Sequence, residues 1–245
     1  RERKLALRDR RLDLAIDYEF FQSLLNQLVW TKYPEMEGKT PSDEPSDQIW
    51  RERWDETAQQ LLDKLSTLNG EARRGLGRYR QVELERMNQD LAQLNLTAPT
   101  LQQLTDARFF HYFPEQRERE FQYRPLGQVW RAIAFDQLQA LQAGAILEKV
   151  VFPPSEKSKT LDGKLQPGQG QVYLANLGEN QEIAATVVTD QALDLAIFGP
   201  NDPLFTSDTG KRAWSGTLPA SGYYQFVITS RSAQPLNYKF TLTAE

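Results

Sequence analysis

The stretch "LPASGYYQFVIT", residues 218–229, decides the fold of the C-terminal part of the chain. A Leu-Pro pair and two small residues lead into Gly222, which can adopt a positive φ and let the chain reverse direction. Two adjacent tyrosines follow, and neighbouring side chains of a strand point to opposite faces. One ring can be buried against a facing sheet, while the other covers an edge or bonds to a loop carbonyl, as in a tyrosine corner. We therefore predict a turn and a sandwich strand here, with Tyr223 as a candidate ligand contact.

Short segments with period-two alternation accompany this stretch throughout the last hundred or so residues. They are VYLANL (172–177), EIAATVV (182–188), LDLAIF (193–198), RAWSGTL (212–218) and YKFTLTA (238–244). Turns rich in glycine, proline and asparagine recur about every ten residues between them, which is typical of an antiparallel sandwich. Two inward faces are predicted, one formed by Tyr224, Phe226 and Ile228 and the other by Tyr238, Phe240 and Leu242.

The N-terminal part of the chain has helical periodicity instead. Apolar residues recur every four positions and predict one continuous stripe at Leu12, Ile16, Phe20, Leu24 and Leu28. Four further helices are predicted. The first begins at a cap formed by Ser46 or Asp47 and ends at Asn69-Gly70, and the second covers 71–94. The third runs from Thr100 to Pro114, and the fourth from Pro125 to a C-cap at Gly144.

The expected fold is α+β in two domains. An all-α helical bundle occupies 1–148, and an all-β, jelly-roll-like antiparallel sandwich occupies 149–245. The segment "FPPSEKSK", 152–159, is expected to connect them.

The sandwich sequence carries a set of motifs in a fixed order. A Gly-Lys-Leu opening is followed by "PGQ", the strand "LDLAIFGP" and a Leu-Pro-x-x-Gly-x-Tyr turn. With these motifs, residues 155–245 resemble the bacterial pre-peptidase C-terminal domain, called PPC-like. The positions that carry the resemblance are Gly163, Leu165, Gly168, Tyr173, Asp194, Leu195, Gly216, Leu218, Gly222 and Tyr224. The resemblance implies an accessory sandwich without catalysis, usually attached to secreted or membrane-tethered proteins.

The helical part contains the segments "LGRYRQVELERMNQDLAQL" and "PLGQVWRAIAFDQLQALQAG". They are similar to the region that follows the kinase domain in some cyanobacterial serine/threonine protein kinases, where a PPC-like sandwich comes next. The order here, 71–143 and then 155–245, agrees with that arrangement. The chain has no kinase Gly-rich loop on a strand, no His-Arg-Asp and no Asp-Phe-Gly. The resemblance therefore implies a non-catalytic region whose partner is an upstream kinase domain.

Composition excludes several kinds of chemistry. Twenty-nine basic and 33 acidic residues give a net charge of −4, which argues against nucleic acid as a partner. The chain has no cysteine, so disulfides and thiolate zinc sites are excluded. His111 is the single histidine and lies among aromatics in "FFHYF", which favours a packed or rim residue over a proton relay. No motif predicts a catalytic residue or a cofactor.

Three sets of residues are candidates for binding. The loop "GPNDPLFTSDTG" gathers Asn201, Asp202 and Asp208, whose oxygens are candidate Ca²⁺ ligands, although Asx turns explain the same residues. "RRGLGRYR" lacks the third glycine and the preceding strand of a phosphate loop. Its arginines predict a solvated face or a surface for an acidic partner, formed by Arg73, Arg74, Arg78 and Arg80. Trp50 and Trp54 are four residues apart, so they lie on one face of the predicted helix, and we expect this face, together with Ile49, to be buried. The two tryptophans therefore belong either to the core or to a ligand groove.

The indications on compartment disagree. Six of the first eleven residues are Lys or Arg, which fits a solvated helix end or a juxtamembrane basic segment on the cytoplasmic side. PPC-like domains instead favour the outer side of the membrane. Both compartments therefore stay open at this point, and the extracytoplasmic side of a membrane protein is favoured over the cytoplasmic side.

The function expected from the sequence is that of a sensory or interaction region. It would bind a small ligand or a protein partner and relay that event to the upstream kinase domain. Two alternatives remain open at this point: a hydrolase with an ancillary PPC-like domain, and a structural or adhesion module.

Overall fold

A computed structural model describes residues 2–206 and 210–245. The helices are α1 (Glu2–Asp13), α2 (Tyr18–Lys32), α3 (Gln48–Ser66), α4 (Gly70–Gly75), α5 (Gln81–Gln93), α6 (Ala98–Tyr112) and α7 (Pro125–Gln142). The strands are β1 (Leu147–Lys149), β2 (Ser158–Leu165), β3 (Gly170–Leu177), β4 (Glu182–Val188), β5 (Leu193–Phe198), β6 (Pro203–Thr206), β7 (Ala213–Thr217), β8 (Gly222–Ser230) and β9 (Leu236–Ala244). The predicted α+β order, helices first and a sandwich second, is confirmed.

Packing divides the chain into two compact units. The first unit consists of the residues before Val82 together with Glu118–Asp136, and the second consists of Val82–Arg117 together with Gln137–Glu245. Helix α6 thus belongs to the same unit as the sandwich. The domain boundary predicted between 148 and 149 falls inside β1 (Leu147–Lys149), a few residues after the end of α7 at Gln142, and as a limit between two domains it stays a prediction.

The first predicted apolar stripe is interrupted, because its residues are divided among α1, α2 and the break between them. Ala15 adopts a left-handed φ of 55° between α1 and α2. Asp17 then caps α2, because its side chain accepts a hydrogen bond from the backbone amide of Phe20 at 2.9 Å. Leu12 falls before the break and is 56% exposed, whereas Leu24 is fully buried.

The helix predicted at 71–94 is also two helices. Gly77 has a φ of +81° and lets the chain turn between α4 and α5. Asn69 was expected to end a helix, but its side chain accepts from the amide of Ala72 and caps α4. Tyr79 lies in the turn with its ring buried, and its hydroxyl donates to the carbonyl of Ala72 at 3.1 Å.

Helix α3 presents a narrower buried face than the sequence predicted. Ile49 was expected on that face and is 53% exposed, since it lies in the first turn of the helix. The buried residues are Thr57, Ala58, Leu61, Leu62 and Leu65. The expectation for α7 is confirmed: it begins at Pro125, and Gly144 follows its end with a left-handed φ of +70°.

The sandwich has a five-stranded sheet in the order β1-β3-β8-β5-β6 and a four-stranded sheet in the order β2-β9-β4-β7. The strand pairs are antiparallel except β1 with β3, which run parallel. Strands β1, β2 and β6 were not predicted, and β2 begins inside the segment expected to be a connection. The two predicted inward faces are confirmed, because their members are buried in one core: Tyr224, Phe226, Ile228, Tyr238, Phe240 and Leu242.

The quoted stretch forms the predicted turn and strand. Gly222 has a φ of +151°, a region that favours glycine, and starts β8. Tyr224 buries its ring in the core, and its hydroxyl donates to the carbonyl of Ala220 at 2.6 Å. One tyrosine therefore fills the core and also fixes the loop before its own strand, while Tyr223 on the opposite face is partly exposed.

The outer face of the five-stranded sheet is covered by α6. Gln225 is fully buried on that face, and its side-chain oxygen accepts from the amide of Thr97 at 2.8 Å and from the hydroxyl of Thr100 at 2.5 Å. Gly170 on β3 allows close packing, since a Cβ built there would lie 2.4 Å from a methyl carbon of Leu104. The centre of the sheet, at β8 and β5, is therefore buried on both faces, whereas the edge strands β1 and β6 remain partly exposed.

Substitution Tyr224→Phe tests the role of the tyrosine hydroxyl. It keeps the buried ring but leaves the Ala220 carbonyl without this donor, so we expect the free energy of unfolding to fall by about 1–2 kcal/mol. Urea denaturation followed by circular dichroism measures the change. Tyr223→Phe is the matched control and should leave the midpoint unchanged, whereas equal effects of the two variants would contradict the assignment.

A buried pair of tyrosines predicts sensitivity to high pH. The Tyr173 and Tyr238 hydroxyls lie 2.9 Å apart, and burial raises the pKa of both groups. The folded state therefore keeps both hydroxyls neutral, whereas an unfolded tyrosine ionises at about pH 10. The stability that the pair contributes is present below that pH and is lost as pH rises above it.

The measurement is the free energy of unfolding as a function of pH from about 9 to 11, around the unfolded tyrosine pKa. The double variant Tyr173→Phe/Tyr238→Phe should show a shallower decline than the unmodified chain. Parallel declines would mean that these tyrosines do not titrate on unfolding.

Candidate functional site

The first unit contains a groove of about 550 Å³ between α1, the start of α2, α3 and the loop at Thr40–Pro41. Its apolar floor is made of buried residues from α2 and α3: Phe21, Leu25 and Ala58. Two further aromatic residues, Tyr18 and Trp54, also line it. Its cationic side chains are Lys4, Arg8, Arg11 and Arg51. We call this site the cationic groove.

Helix α1 supplies three of the cations because of their spacing. Lys4, Arg8 and Arg11 recur at intervals of four and three, which places them on one side of the helix. Arg11 donates to the carbonyl of Ile16 at 2.5 Å, and its guanidinium lies 5.4 Å from the ring centre of Tyr18. Arg11 is thus held at the groove by neutral partners, so its charge is not cancelled by those contacts.

Arg51 on α3 holds the loop that closes the groove. Its Nη1 donates to the carbonyl of Ser42 at 2.5 Å and to that of Glu44 at 2.7 Å. Asp47 accepts from the Ser42 amide at 2.8 Å and from the Ser42 hydroxyl at 2.7 Å. The Ser42 hydroxyl is the largest cause, and its amide the next, of the lowered pKa of the Asp47 carboxyl. Asp47 precedes α3, as predicted, but its side chain fixes the loop and does not cap the helix.

The two candidate tryptophans have different environments. Trp54 lines the cationic groove. Trp50 instead makes an edge contact with the ring of Tyr33 at 5.9 Å, and the guanidinium of Arg53 lies 4.7 Å from its ring centre. The two rings share a helix side but only Trp54 is among the groove residues, so it is the better candidate for ligand contact.

The four candidate arginines do not form one helix face. Arg73 on α4 donates to the carbonyls of Leu14 and Ser66, both at 3.3 Å, and also to that of Leu68. These bonds give Arg73 a structural role within the first unit. The exposed members are Arg74, also on α4, and Arg78 and Arg80, which follow the turn at Gly77. A surface for an acidic partner at these residues stays a prediction.

The acidic loop is only partly described. Asn201 and Asp202 are exposed in a turn that is closed by a 2.9 Å bond from the Gly199 amide to the Asp202 carbonyl. Asp208 lies outside the described residues. Within the ranges 2–206 and 210–245, no three His, Asp or Glu side chains are grouped so that they could hold a metal ion.

A second groove, of about 500 Å³, lies in the second unit between α6 and the ends of β5 and β8. His111 lines it and is exposed, as expected for a rim residue, and its Cβ packs against Gly168. Asp194 forms a 3.1 Å ion pair with Arg231 there. Two serines also line this groove and bond to the adjacent turn: the Ser230 hydroxyl accepts from the Ser232 amide, and the Ser232 hydroxyl donates to Gln191.

Comparison with known proteins bears on the chain as a whole. It is 29% identical over 260 aligned positions to serine/threonine-protein kinase-like protein E of Synechocystis sp. strain PCC 6803. The match covers 99% of this chain but only 41% of that protein. The predicted resemblance to a cyanobacterial serine/threonine kinase is thereby confirmed. The chain spans less than half of this relative.

Solved structures resemble only part of the chain, and no protein-family model matches it. PliG of Aeromonas hydrophila, a periplasmic inhibitor of g-type lysozyme, is 19% identical over 40% of this chain and 96% of its own, with a TM-score of 0.37. The pre-peptidase C-terminal domain of a Bacillus anthracis collagenase is 10% identical over 40% of this chain and 94% of its own, with a TM-score of 0.32.

Among the described helices, none combines the length and the apolar character that crossing a bilayer requires.

The cationic groove was not predicted as a unit. Trp54 was named from its helical spacing, and the basic start of the chain was noted only as a charged segment. The regular spacing of Lys4, Arg8 and Arg11 was the available signal. No sequence pattern could have indicated the contribution of Arg51, because this contribution depends on how α3 and the loop fold together.

Proposed function

We propose that the chain is the non-catalytic sensory region of a serine/threonine kinase-like protein. In this proposal it binds its ligand or partner in the cationic groove and relays the event to a kinase domain that precedes it. The observation that carries the proposal is the similarity to a kinase-like protein along 99% of a chain that has none of the kinase motifs.

Helix α1 is the element suited to relay binding. No described residue of α1 is buried, so its position depends on surface contacts. One of them is the ion pair between Arg10 on α1 and Asp63 on α3, at 2.6 Å. A ligand that contacts α1 and α3 together favours the docked position of α1 to the extent that it binds this position more tightly than the undocked one. In this proposal, a kinase domain joined to α1 would sense that shift.

The test weakens the docking of α1 in the intact kinase-like protein without touching the groove. Arg10→Gln removes the Arg10–Asp63 ion pair, and we expect the autophosphorylation rate to change by about twofold to fivefold, as a coupling of this size allows. Arg3→Gln is the matched control, because Arg3 is exposed on the same helix and does not line the groove. Equal rates for the unmodified protein and both variants would contradict the relay.

A hydrolase is the second candidate, and one observation favours it, although the site would then include the sandwich itself, which was expected to be ancillary. The groove of the second unit brings His111 together with Asp106 and Ser230 as lining residues, the residue types of a nucleophilic hydrolase. Turnover of ester, peptide or glycoside substrates by the chain, abolished in His111→Ala, would support the hydrolase and contradict a purely sensory role. A structural or adhesion module would instead show no saturable binding at either groove.

A further inference from the structure

We propose that the ligand of the cationic groove is a small amphipathic anion, with a single anionic head group and an aromatic or short aliphatic body. The inference rests on the proposed function, since it names the class of signal that the sensory region would detect. It follows from three properties of the groove: its apolar floor, its cationic rim and its volume.

The floor can receive an apolar body. Phe21, Leu25 and Ala58 are buried residues whose side chains border the groove, so a ring placed there would meet hydrocarbon on its inner side. Tyr18 and Trp54 offer aromatic faces beside it. Aromatic faces stack against planar groups, and this contact adds to the free energy gained from area burial. A bicyclic ring therefore fits this floor better than a polar sugar or a bare inorganic ion.

The rim can receive an anion. Among the described residues that line the groove, four side chains are cationic and one, Asp55, is a carboxylate. Lys4 is 3.6 Å from the highly exposed Asp43, and Arg8 pairs with its exposed neighbour Asp9. Both of these carboxylate partners are exposed, so solvent screens their interaction with the two cations. The ligand's head group would replace these screened contacts.

Hydrogen bonds to backbone carbonyls fix the positions of Arg11 and Arg51 at the groove. Arg11 donates through Nη1 to one carbonyl and Arg51 donates through Nη1 to two, so these bonds use one of the nitrogens of each guanidinium. An arginine has five N–H donors in a planar fork, and that fork matches the oxygens of a carboxylate or phosphate. The carbonyl bonds fix both side chains in advance, which lowers the entropy cost of binding.

The volume limits the size of the ligand. About 550 Å³ lies within the range of roughly 300–1,000 Å³ that small-molecule pockets occupy. The groove therefore suits a compact molecule whose body reaches the floor while its head group stays at the rim.

The probe is 2-naphthyl phosphate, titrated into the chain by isothermal calorimetry. We expect saturable binding with one site per chain. The binding affinity should fall by about tenfold or more when the salt concentration of the buffer is raised, because the charges of the rim are partly exposed. Inorganic phosphate, which has no body, and 2-naphthyl-trimethylammonium, which has the opposite charge, should each bind at least about tenfold more weakly.

Matched variants locate the site. Arg8→Gln and Trp54→Leu should each weaken binding of 2-naphthyl phosphate by about tenfold. Arg3→Gln removes an equal charge from the same helix outside the groove, and Trp50→Leu removes the neighbouring indole that contacts Tyr33, so both should bind as the unmodified chain does. Circular dichroism and the unfolding midpoint confirm that each variant is folded.

Three calorimetric outcomes with these soluble probes would overturn the inference: no saturable binding of 2-naphthyl phosphate, equal binding of the cationic probe, or equal losses of affinity in the groove variants and their controls. Binding confined to anionic phospholipid vesicles, with none to 2-naphthyl phosphate, would also overturn it and would indicate a membrane surface. If the probe fails but Arg10→Gln still alters autophosphorylation, only the ligand class is wrong and the relay stands.

Discussion

The structure depends on the burial of strand β8 on both of its faces. One face carries Tyr224, Phe226 and Ile228 into the sandwich core, and the other carries Gln225, Val227 and Thr229 against α6. A sheet that is buried on both sides needs a covering layer, since its outer face would otherwise expose apolar residues to water. The sandwich therefore includes a helix that comes before it in sequence, and this explains why packing groups α6 with the strands.

Gln225 is the polar contact that fixes this layer. Its oxygen accepts from Thr97 and Thr100, so a strand residue caps the first turn of α6. Within the described residues its amide nitrogen has no hydrogen-bond partner, which costs about 1–3 kcal/mol in a buried site. The bonds to its oxygen offset that cost, because without them the helix amide and the threonine hydroxyl would be buried and unpaired. A polar residue thereby sets where α6 lies along the sheet.

The sequence was sufficient for features that repeat locally. Alternation located the main strands, and the position of Gly222 before two tyrosines predicted the turn that Tyr224 completes. Helix breaks at Ala15 and Gly77 were missed, because apolar spacing continued across both. The cover of α6 over β8 was missed too, although "LDLAIF" and "YYQFVIT" are apolar for longer than strict alternation allows, which is a mark of burial on both faces. For the cationic groove, local patterns could indicate the cationic side of α1 but not the groove itself, since α1, α3 and a loop meet there only through folding.

The two units then have different physical characters. The second has a dense core in which aromatic rings stack, such as Tyr173 on Phe240 with ring centres 4.8 Å apart. The first has an N-terminal helix with no buried residue beside a groove with cationic walls. Elements held by few buried contacts are those whose position a ligand can shift at low cost. The relay proposed for α1 depends on this contrast.

Native-state hydrogen exchange of the full chain tests the central claim most directly. If α6 and β8 form one cooperative unit, amides of α6 and β8 should exchange with the same opening free energy, and Gln225→Ala should lower both by the same amount, about 1–3 kcal/mol. Exchange of α6 at the lower free energy of α1, with β8 unaffected by Gln225→Ala, would contradict it.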